Sequence, residues 1–583
     1  MKYPTLAELP TSREMIDIFK GYNHNLRIAN GEFYEMTNLS SDHYPVLSTR
    51  TCRGIYASTD IPQGMIAKDT VCYIDGSDFI MGEQRISIGV TEDTAPKTMI
   101  SMGAYVIIMP DKVYINTENL SDYGPIEASV TATSGASFSL CNADGEDYQD
   151  VAVQNWVPLN PENLDFWFDT SESSFTLKQY SSETDTWIPI AITYIKISAA
   201  EAIGAPFSVG DGVSISGIKY GAISDIDDTF SSVIWAKGDN YIVVRGTPGI
   251  ITGQDTAITI ERKMPNMDYV IESGNRLWGC RYGIAADNEK TVNEIYASKL
   301  GDFKNWNCFA GISTDSYAAT VGTDGPFTGA ITHLGYPIFF KENCMHKVYG
   351  SYPANYQIQT TTCRGVQEGC SGSLAAVNEV LYYKSRSGIC AYDGSLPVEV
   401  SAALGDVMYH HACAGALGNK YYISMADANE DYHLYVYDTI KDMWHREDDT
   451  QAFGFCNCKG DLYYIDHASN LIKTVKGTGV KEKVPLKWSA TTGIIGTDSP
   501  DKKYISRIDV RMKLDVGAKA SFYAEYDSCG DYEYLFTMTG KNLQSFAVPI
   551  RPKRCDHMRL RIIGTGEVKI FSICKTIEWG SDR

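Results

Sequence analysis

The stretch VNEVLYYKSRSGICAYDG, residues 377 to 394, joins an apolar strand start, a Tyr pair, a polar turn and a Tyr-Asp-Gly ending, and its form recurs along the chain. Related stretches are KDTVCYIDGSDFIMG from Lys68, SMGAYVIIMPDKVYIN from Ser101, SGNRLWGCRYG from Ser273 with its return NEIYASKL from Asn293, and HLGYPIFFKENCMHKVYG from His333. LGNKYYISMADANEDYHLYVYD from Leu417 and KGDLYYIDHASNLIKTVKG from Lys459 bring the number to seven. Each has a polar or Gly-containing start, a short apolar run, a turn rich in Gly, Asp, Asn or Ser, and a second apolar run, which is the sequence form of a β-hairpin. The starts at 333, 377, 417 and 459 are 44, 40 and 42 residues apart, the spacing of a four-stranded propeller blade. A chain of 583 residues is too long for one ordinary core, but a propeller grows by adding blades and has only short, protected edges. The reading is therefore all-β: a β-propeller of about seven blades, with each hairpin the middle of a blade. Meandering β-sandwiches, the rival architecture, also use short strands between turns but do not account for the steady late spacing.

The rhythm breaks between Ser101 and Ser273. Residues 126–264, with strand candidates such as IEASVTAT, WIPIAITYIKI, GVSISGI and YIVVRG, read as a β-rich domain inserted into a surface loop, where long insertions cost little. The propeller then occupies 54–125 and 265–483. Ahead of it, residues 1–53 comprise a short helix over TSREMIDIFKG, with Thr11 and Glu14 as a capping box and Gly21 as its stop, followed by an extended arm over 30–54. Residues 484–583 hold longer alternating strands. Ile508, Val510, Met512 and Leu514 share one face against Arg507, Asp509, Arg511 and Lys513, and Met558, Leu560 and Ile562 oppose Arg559 and Arg561. This predicts a separate C-terminal β-sandwich with a basic outer face.

Tyr outnumbers Phe, 38 to 20, which suits half-buried sheet faces and interfaces. Apolar runs such as YVIIM are far shorter than a membrane span, and the N-terminal stretch has no secretory-signal pattern, so neither stable membrane insertion nor standard export is expected. Fifteen irregularly spaced cysteines, an odd number in a large chain, fit reduced thiols in a cytoplasmic product. The net charge is −21, which opposes general affinity for nucleic acid. It is uneven: residues 484–583 hold 16 basic and 12 acidic residues (+4), and residues 1–483 hold 35 and 60 (−25).

Catalytic signatures are missing. Neither GDGVSISG nor EGCSGS has the spacing of a nucleophile elbow, and there is no phosphate loop or dinucleotide fingerprint. His410, His411 and Cys413, Cys456 and Cys458, or Cys344 and His346 lack the paired ligand sets of structural zinc sites. NADGEDYQD (142–150), SDIDDT (224–229) and MADANEDY (425–432) depart from the calcium-loop pattern and read as solvated turns. A glycosidase needs two carboxylates about 5–10 Å apart, and the sequence singles out no such pair. YDTIKDMWHRE (437–447) crowds Tyr, Asp, His and Glu together, but adjacent strand residues point to opposite faces; a Trp packed between blades is the simpler reading. The expectation is a non-enzyme with no catalytic residue, metal or cofactor.

NGEFYEMTNLSSDHYPVLSTR, KTMISMGAYVIIMPDKVYIN and PDKKYISRIDVRMKL with FAVPIRPKRCDHMRLRIIGTGEVKIF resemble virion proteins of tailed bacteriophages and of prophages of gut bacteria. In architecture the chain is similar to the nozzle, muzzle or packaged-DNA-stabilising (tail tubular B-like) proteins of short-tailed phages. That resemblance implies a homo-oligomeric ring, typically a hexamer, below the portal and its adaptor, in contact with other tail proteins. The ring would belong to the virion tail, be assembled in the host cytoplasm, and act as a conduit and gate that retains the genome and lets it pass without sequence-specific binding. The acidic body fits a lumen that repels DNA phosphates, and equally fits a surface that aids solubility. Arm residues Tyr34, Tyr44 and Arg50 are expected to touch neighbouring chains. Arg507, Arg511, Lys513, Arg551, Lys553, Arg554, Arg559 and Arg561 are expected to dock on an acidic neighbour. The alternative is a tail-associated receptor-binding or glycan-cleaving propeller module.

Overall fold

In the computed structural model, residues 11–93, 95–171, 176–218, 228–246, 253–284, 291–481, 484–497, 501–551 and 553–579 are described. They contain strands and three short 3-10 turns, with no α-helix. The opening stretch shows how a blade is built. Ala375–Val377 turns back into Val380–Lys384, which pairs antiparallel with Ile389–Tyr392 and then Val398–Glu399. Asn378 and Glu379 both take positive φ (48° and 69°), as the tight hairpin turn matching strand twist requires. The hairpin in the sequence is thus the second and third strands of blade five.

Seven such sheets follow one another. Their inner strands are Pro62–Ala67, Thr98–Met102, Tyr269–Ser273, Gly329–His333, Ala375–Val377, His410–Leu417 and Ala452–Cys458. Neighbouring inner strands touch in ring order, the fourth and fifth through the Ser371–Ser373 turn, and the seventh returns to the first. Turns of adjacent blades are stitched together: His333 Nε2 lies 2.7 Å from Glu379 O, Asn378 donates to Asn419 Oδ1 at 3.1 Å, and Asn457 to Ala416 O at 3.2 Å. The core is correspondingly divided into apolar clusters between successive blades. Cys72, Ile74, Phe79, Val106 and Ile108 fill one gap, Trp278, Ile295, Phe339 and Val348 another, and Tyr422, Val436, Leu462 and Tyr464 a third.

The ring is closed by a strand from the other end of the propeller sequence. Gly54–Ser58 pairs antiparallel with Leu471–Thr474 as the fourth strand of blade seven, and the short strand Val480–Lys481 pairs with its far edge. At Gly54 a Cβ would stand 2.2 Å from Thr478 O, so the backbones meet there only because the residue is glycine. Just before this strand, Arg53 is buried and contacts Glu447 at 2.7 Å, Asp448 at 3.2 Å and Tyr464 Oη at 2.5 Å. Arg50 joins the cluster through Asp448 at 3.1 Å and Asn38 Oδ1 at 2.7 Å.

The N-terminal residues correct the sequence reading. Thr11–Ile16 is a strand, not a helix, paired antiparallel with Val568–Trp579. Glu14 caps nothing and instead lies 3.0 Å from Lys575. Gly21 belongs to the next short strand, Gly21–Tyr22, which runs beside Glu32–Thr37 and Met443–Arg446. Its φ is +82° and a Cβ would lie 2.3 Å from Trp444 O. A weak local capping signal loses to a long partner strand with backbone groups to satisfy. Glu32–Thr37 continues onto Lys487–Thr492, so the arm joins blade six to the C-terminal strands in one 15-stranded sheet. The C-terminal module is therefore fused to the propeller rather than separate. Its alternation is as the sequence implies: Ile508, Val510, Met512, Met558, Leu560 and Ile562 are all fully buried.

The insertion leaves blade two after Tyr123–Pro125 and re-enters at Tyr269–Ser273. It contains a seven-stranded sheet between Ala128 and Arg262, a four-stranded sheet between Ala152 and Pro189, and its own core around Phe168, Ile197, Phe207, Ile215 and Ile260. Asp211 anchors it, ion-pairing with Arg262 and accepting from Asn305 of blade three at 2.9 Å.

Removing one member of a buried ion pair costs about 3–5 kcal/mol, so Arg53→Met should lower the unfolding free energy by that amount in urea titrations. Burial by itself would raise the Asp448 carboxyl, but Arg53 and Arg50 and bonds from Thr450 hold it below its usual value. Its contribution is thus fully present above about pH 4 and is lost as pH falls through its lower folded-state value. Melting curves in an acid series should fall more steeply for the native chain than for Asp448→Asn.

Candidate functional site

The axis of a propeller is where inner-strand side chains converge. Here the seven inner strands carry a single carboxylate, Glu272, and it accepts the N–H of Asn275 at 2.8 Å. Their other residues are apolar or neutral polar, apart from His333, His410 and His411. The paired carboxylates of glycoside cleavage are not on these strands.

Of the sequence-derived metal candidates, Cys344 Sγ lies 3.8 Å from His346 Nε2 and the His410 and His411 rings are 4.7 Å apart. His346 is a satisfied core histidine: its ring nitrogens lie 2.9 Å from the hydroxyls of Thr323 and Thr360, and burial pushes its pKa down to about 4. Cys413 Sγ accepts from Gly454 N–H, while His410 and His411 turn toward Glu430 instead. Burial raises the Cys456 thiol to about 12, far from thiolate character. Among the acidic loops, Asn142 Oδ1 caps the N–H groups of Asp144 and Glu146, and Asp427 Oδ1 those of Asn429 and Asp431. Both are self-satisfied turns. Of SDIDDT, residues 224–227 lie outside the described residues. In YDTIKDMWHRE, Trp444 stacks on Tyr437 and donates to Val400 O of blade five at 2.8 Å. Asp438 accepts from Ser41 at 2.6 Å and Glu447 receives Arg53. That segment holds the arm, a role its sequence did not reveal.

The candidate interface residues divide into two groups. Arg50 is buried in the cluster above. Tyr34 lies between the His24 ring, 4.3 Å away, and the Arg559 guanidinium, 4.5 Å away. Arg561 reaches Glu35 at 3.3 Å and covers the Tyr532 ring at 3.8 Å. These four side chains bind the arm to its own chain, because the arm returns across the C-terminal strands instead of leaving the molecule. Tyr44 stays exposed, with Lys441 5.6 Å from its ring. Arg507 pairs with Asp509 at 2.9 Å, Lys513 with Asp515 at 3.8 Å, and Lys553 with Glu533. Arg511 donates to Ser545 Oγ at 2.9 Å. Arg511, Arg551 and Arg554 are exposed and carry no ion pair among the described residues.

Two surface features gather these groups. A groove of about 490 Å³ is lined by Arg13, Arg507, Arg511, Asp509, Ser545 and Phe546. It runs beside strand Glu533–Val548, 16 residues long, whose sole strand partner among the described residues is Lys503–Tyr526. Its other edge has no strand partner among the described residues. A second cleft of about 450 Å³, between the insertion and blade three, is lined by Trp235, Phe309, Arg245, Asn307, Ser231 and Ser232. Trp235 and Phe309 are 41% and 61% exposed. The sequence reading missed this cleft, since its walls come from strands and a loop far apart in the chain.

No family model matches the sequence, and no curated protein matches it. Among solved structures it is similar to an exo-β-1,3-galactanase of Phanerochaete chrysosporium (8% identity, TM-score 0.22, covering 52% of this chain and 94% of that one). It is also similar to Trypanosoma rangeli sialidase (10%, 0.24, 98% and 96%) and to PorZ of the Porphyromonas gingivalis type-IX secretion system (10%, 0.25, 90% and 72%). At these scores the likenesses carry no argument about activity, and the propeller stands on its own sheets.

Exposed and inward-facing arginines should respond differently to charge reversal. Arg511→Glu is expected to change stability by no more than about 0.5 kcal/mol. Arg561→Glu, opposite Glu35 and over Tyr532, should lower the melting temperature measurably in the same calorimetric series.

Proposed function

We propose that this chain is a non-enzymatic structural subunit of a bacteriophage tail, a ring-forming conduit and gate for the genome. The observation that carries this reading is the open 16-residue strand Glu533–Val548 beside the arginine groove. A long unpaired edge is a liability in a solitary protein and a ready-made template for another chain. The flanking arginines suit an acidic neighbour, and residues 1–483 of a second copy, at −25, are acidic. The closed propeller supplies rigidity, the phage-protein resemblance supplies the setting, and inner strands with one carboxylate fit a mechanical role better than a hydrolytic one. The ring would be a hexamer seated against the portal adaptor.

One observation favours a second reading, a receptor-binding module. The Trp235–Phe309 cleft offers two aromatic faces, the Arg245 guanidinium, an amide and two hydroxyls, a set suited to stacking on and hydrogen-bonding a sugar.

Cryo-electron microscopy of intact particles, with light scattering of the purified chain, tests the first reading. A multi-copy ring on the tail axis, weakened by Arg507→Glu with Arg511→Glu, is expected. A monomer at high concentration that is absent from particles, or present only at fibre tips, would overturn it. Glycan binding that disappears in Trp235→Ala would favour the second.

A further inference from the structure

Consecutive residues on a regular strand point to opposite faces, so His410 and His411 should not meet. They do meet. The register between His410–Leu417 and Lys420–Ala426 shifts between His410 and Cys413, and His411 takes φ +49°. This bulge turns both imidazoles to one side, their ring centroids 4.7 Å apart. A bulge is a known device for re-aiming a side chain.

A third group arrives from the turn after Lys420–Ala426. Glu430, at φ +65°, is presented by a turn that Asp427 clamps through the N–H groups of Asn429 (2.8 Å) and Asp431 (3.1 Å). Its Oε1 lies 2.9 Å from His410 Nε2. One ligand atom from each of the three residues lies within 4.8 Å of the other two. Left-handed backbone is unfavourable for residues with side chains, yet two of the three residues adopt it. Such outliers gather where the surroundings impose a function.

We propose that His410, His411 and Glu430 form a binding site for a divalent transition metal of the zinc class at the start of the inner strand of blade six. Two imidazoles and one carboxylate are the donor set of open zinc sites, with a fourth position left for water or another ligand. Calcium and magnesium prefer all-oxygen shells, which excludes them here. Metal–ligand distances of about 2.0–2.2 Å require the three donors to close on one another. Glu430 and His411 are exposed and His410 is half-buried, so side-chain rotation suffices. Binding replaces the His410–Glu430 hydrogen bond with bonds from both residues to the metal. The neighbouring charged groups are Asp427 and Asp431 of the same turn, and Arg446 with Asp449 around His433.

The test is a titration of chelator-stripped full-length chain with Co²⁺, read by visible absorption, and with Zn²⁺ by calorimetry. One equivalent is expected, with tetrahedral-type Co²⁺ bands displaced by Zn²⁺ and unaffected by excess Ca²⁺. His411→Ala and Glu430→Gln should each abolish the bands while retaining the native melting curve, since both side chains are exposed. Absence of a stoichiometric site, or bands that survive in both variants and so arise from other His or Cys residues, would overturn the assignment. Should His411→Ala disturb folding, Glu430→Gln alone decides, because its side chain extends from a surface turn.

Discussion

The pairing of Gly54–Ser58 with Leu471–Thr474 is the contact on which the remaining architecture depends. A ring of blades is a set of small cores, each shared by two neighbours, and such a ring opens at its weakest joint. Here that joint lies within a blade, where a strand from before the propeller completes a sheet made by its last residues. Parting the ends therefore requires unzipping a hydrogen-bonded ladder as well as separating two apolar faces. The Arg50 and Arg53 cluster sits directly beside this seam. Buried ion pairs add little net stability relative to apolar packing, but they penalise any arrangement that leaves one partner alone. A closing strand without Arg53 would leave Glu447 and Asp448 short of that partner.

The same arm explains why the C-terminal strands are not a separate unit. Glu32–Thr37 hydrogen-bonds to Lys487–Thr492, and Thr11–Ile16 to Val568–Trp579, so blade six and the C-terminal layers share one sheet. Their apolar residues form one continuous cluster, from Leu381 and Trp444 to Trp488, Val510 and Leu560. What is left outward is a basic groove and an open strand edge, on a body that is otherwise acidic. The division of charge along the chain thus becomes a division of surface.

Much of the fold was legible because it is local. The polar turn between Val380–Lys384 and Ile389–Tyr392 and the alternation Ile508, Val510, Met512, Leu514 depend on residues near one another in sequence, and both appear as read. The arm was misread because its strands find partners hundreds of residues away, and no local pattern in TSREMI reveals the edge that Val568–Trp579 offers. Arg50, Tyr34, Arg559 and Arg561 looked like outward contacts for a related reason: charge and aromaticity mark a binding surface without saying whose. His410 and His411 were set aside because they lack the paired ligand sets of a structural zinc site, and nothing local in the sequence shows that Glu430 returns to them. The Trp235 cleft had no sequence signal, being assembled from one sheet of the insertion and a distant loop.

Backbone hydrogen exchange of the intact chain tests the closure most directly. If Gly54–Ser58 seals the ring, its amides should be protected to the same degree as those of Leu471–Thr474, and both segments should lose protection together as denaturant is raised. Rapid exchange at Gly54–Ser58 while Leu471–Thr474 stays protected would contradict a ring held shut by this strand.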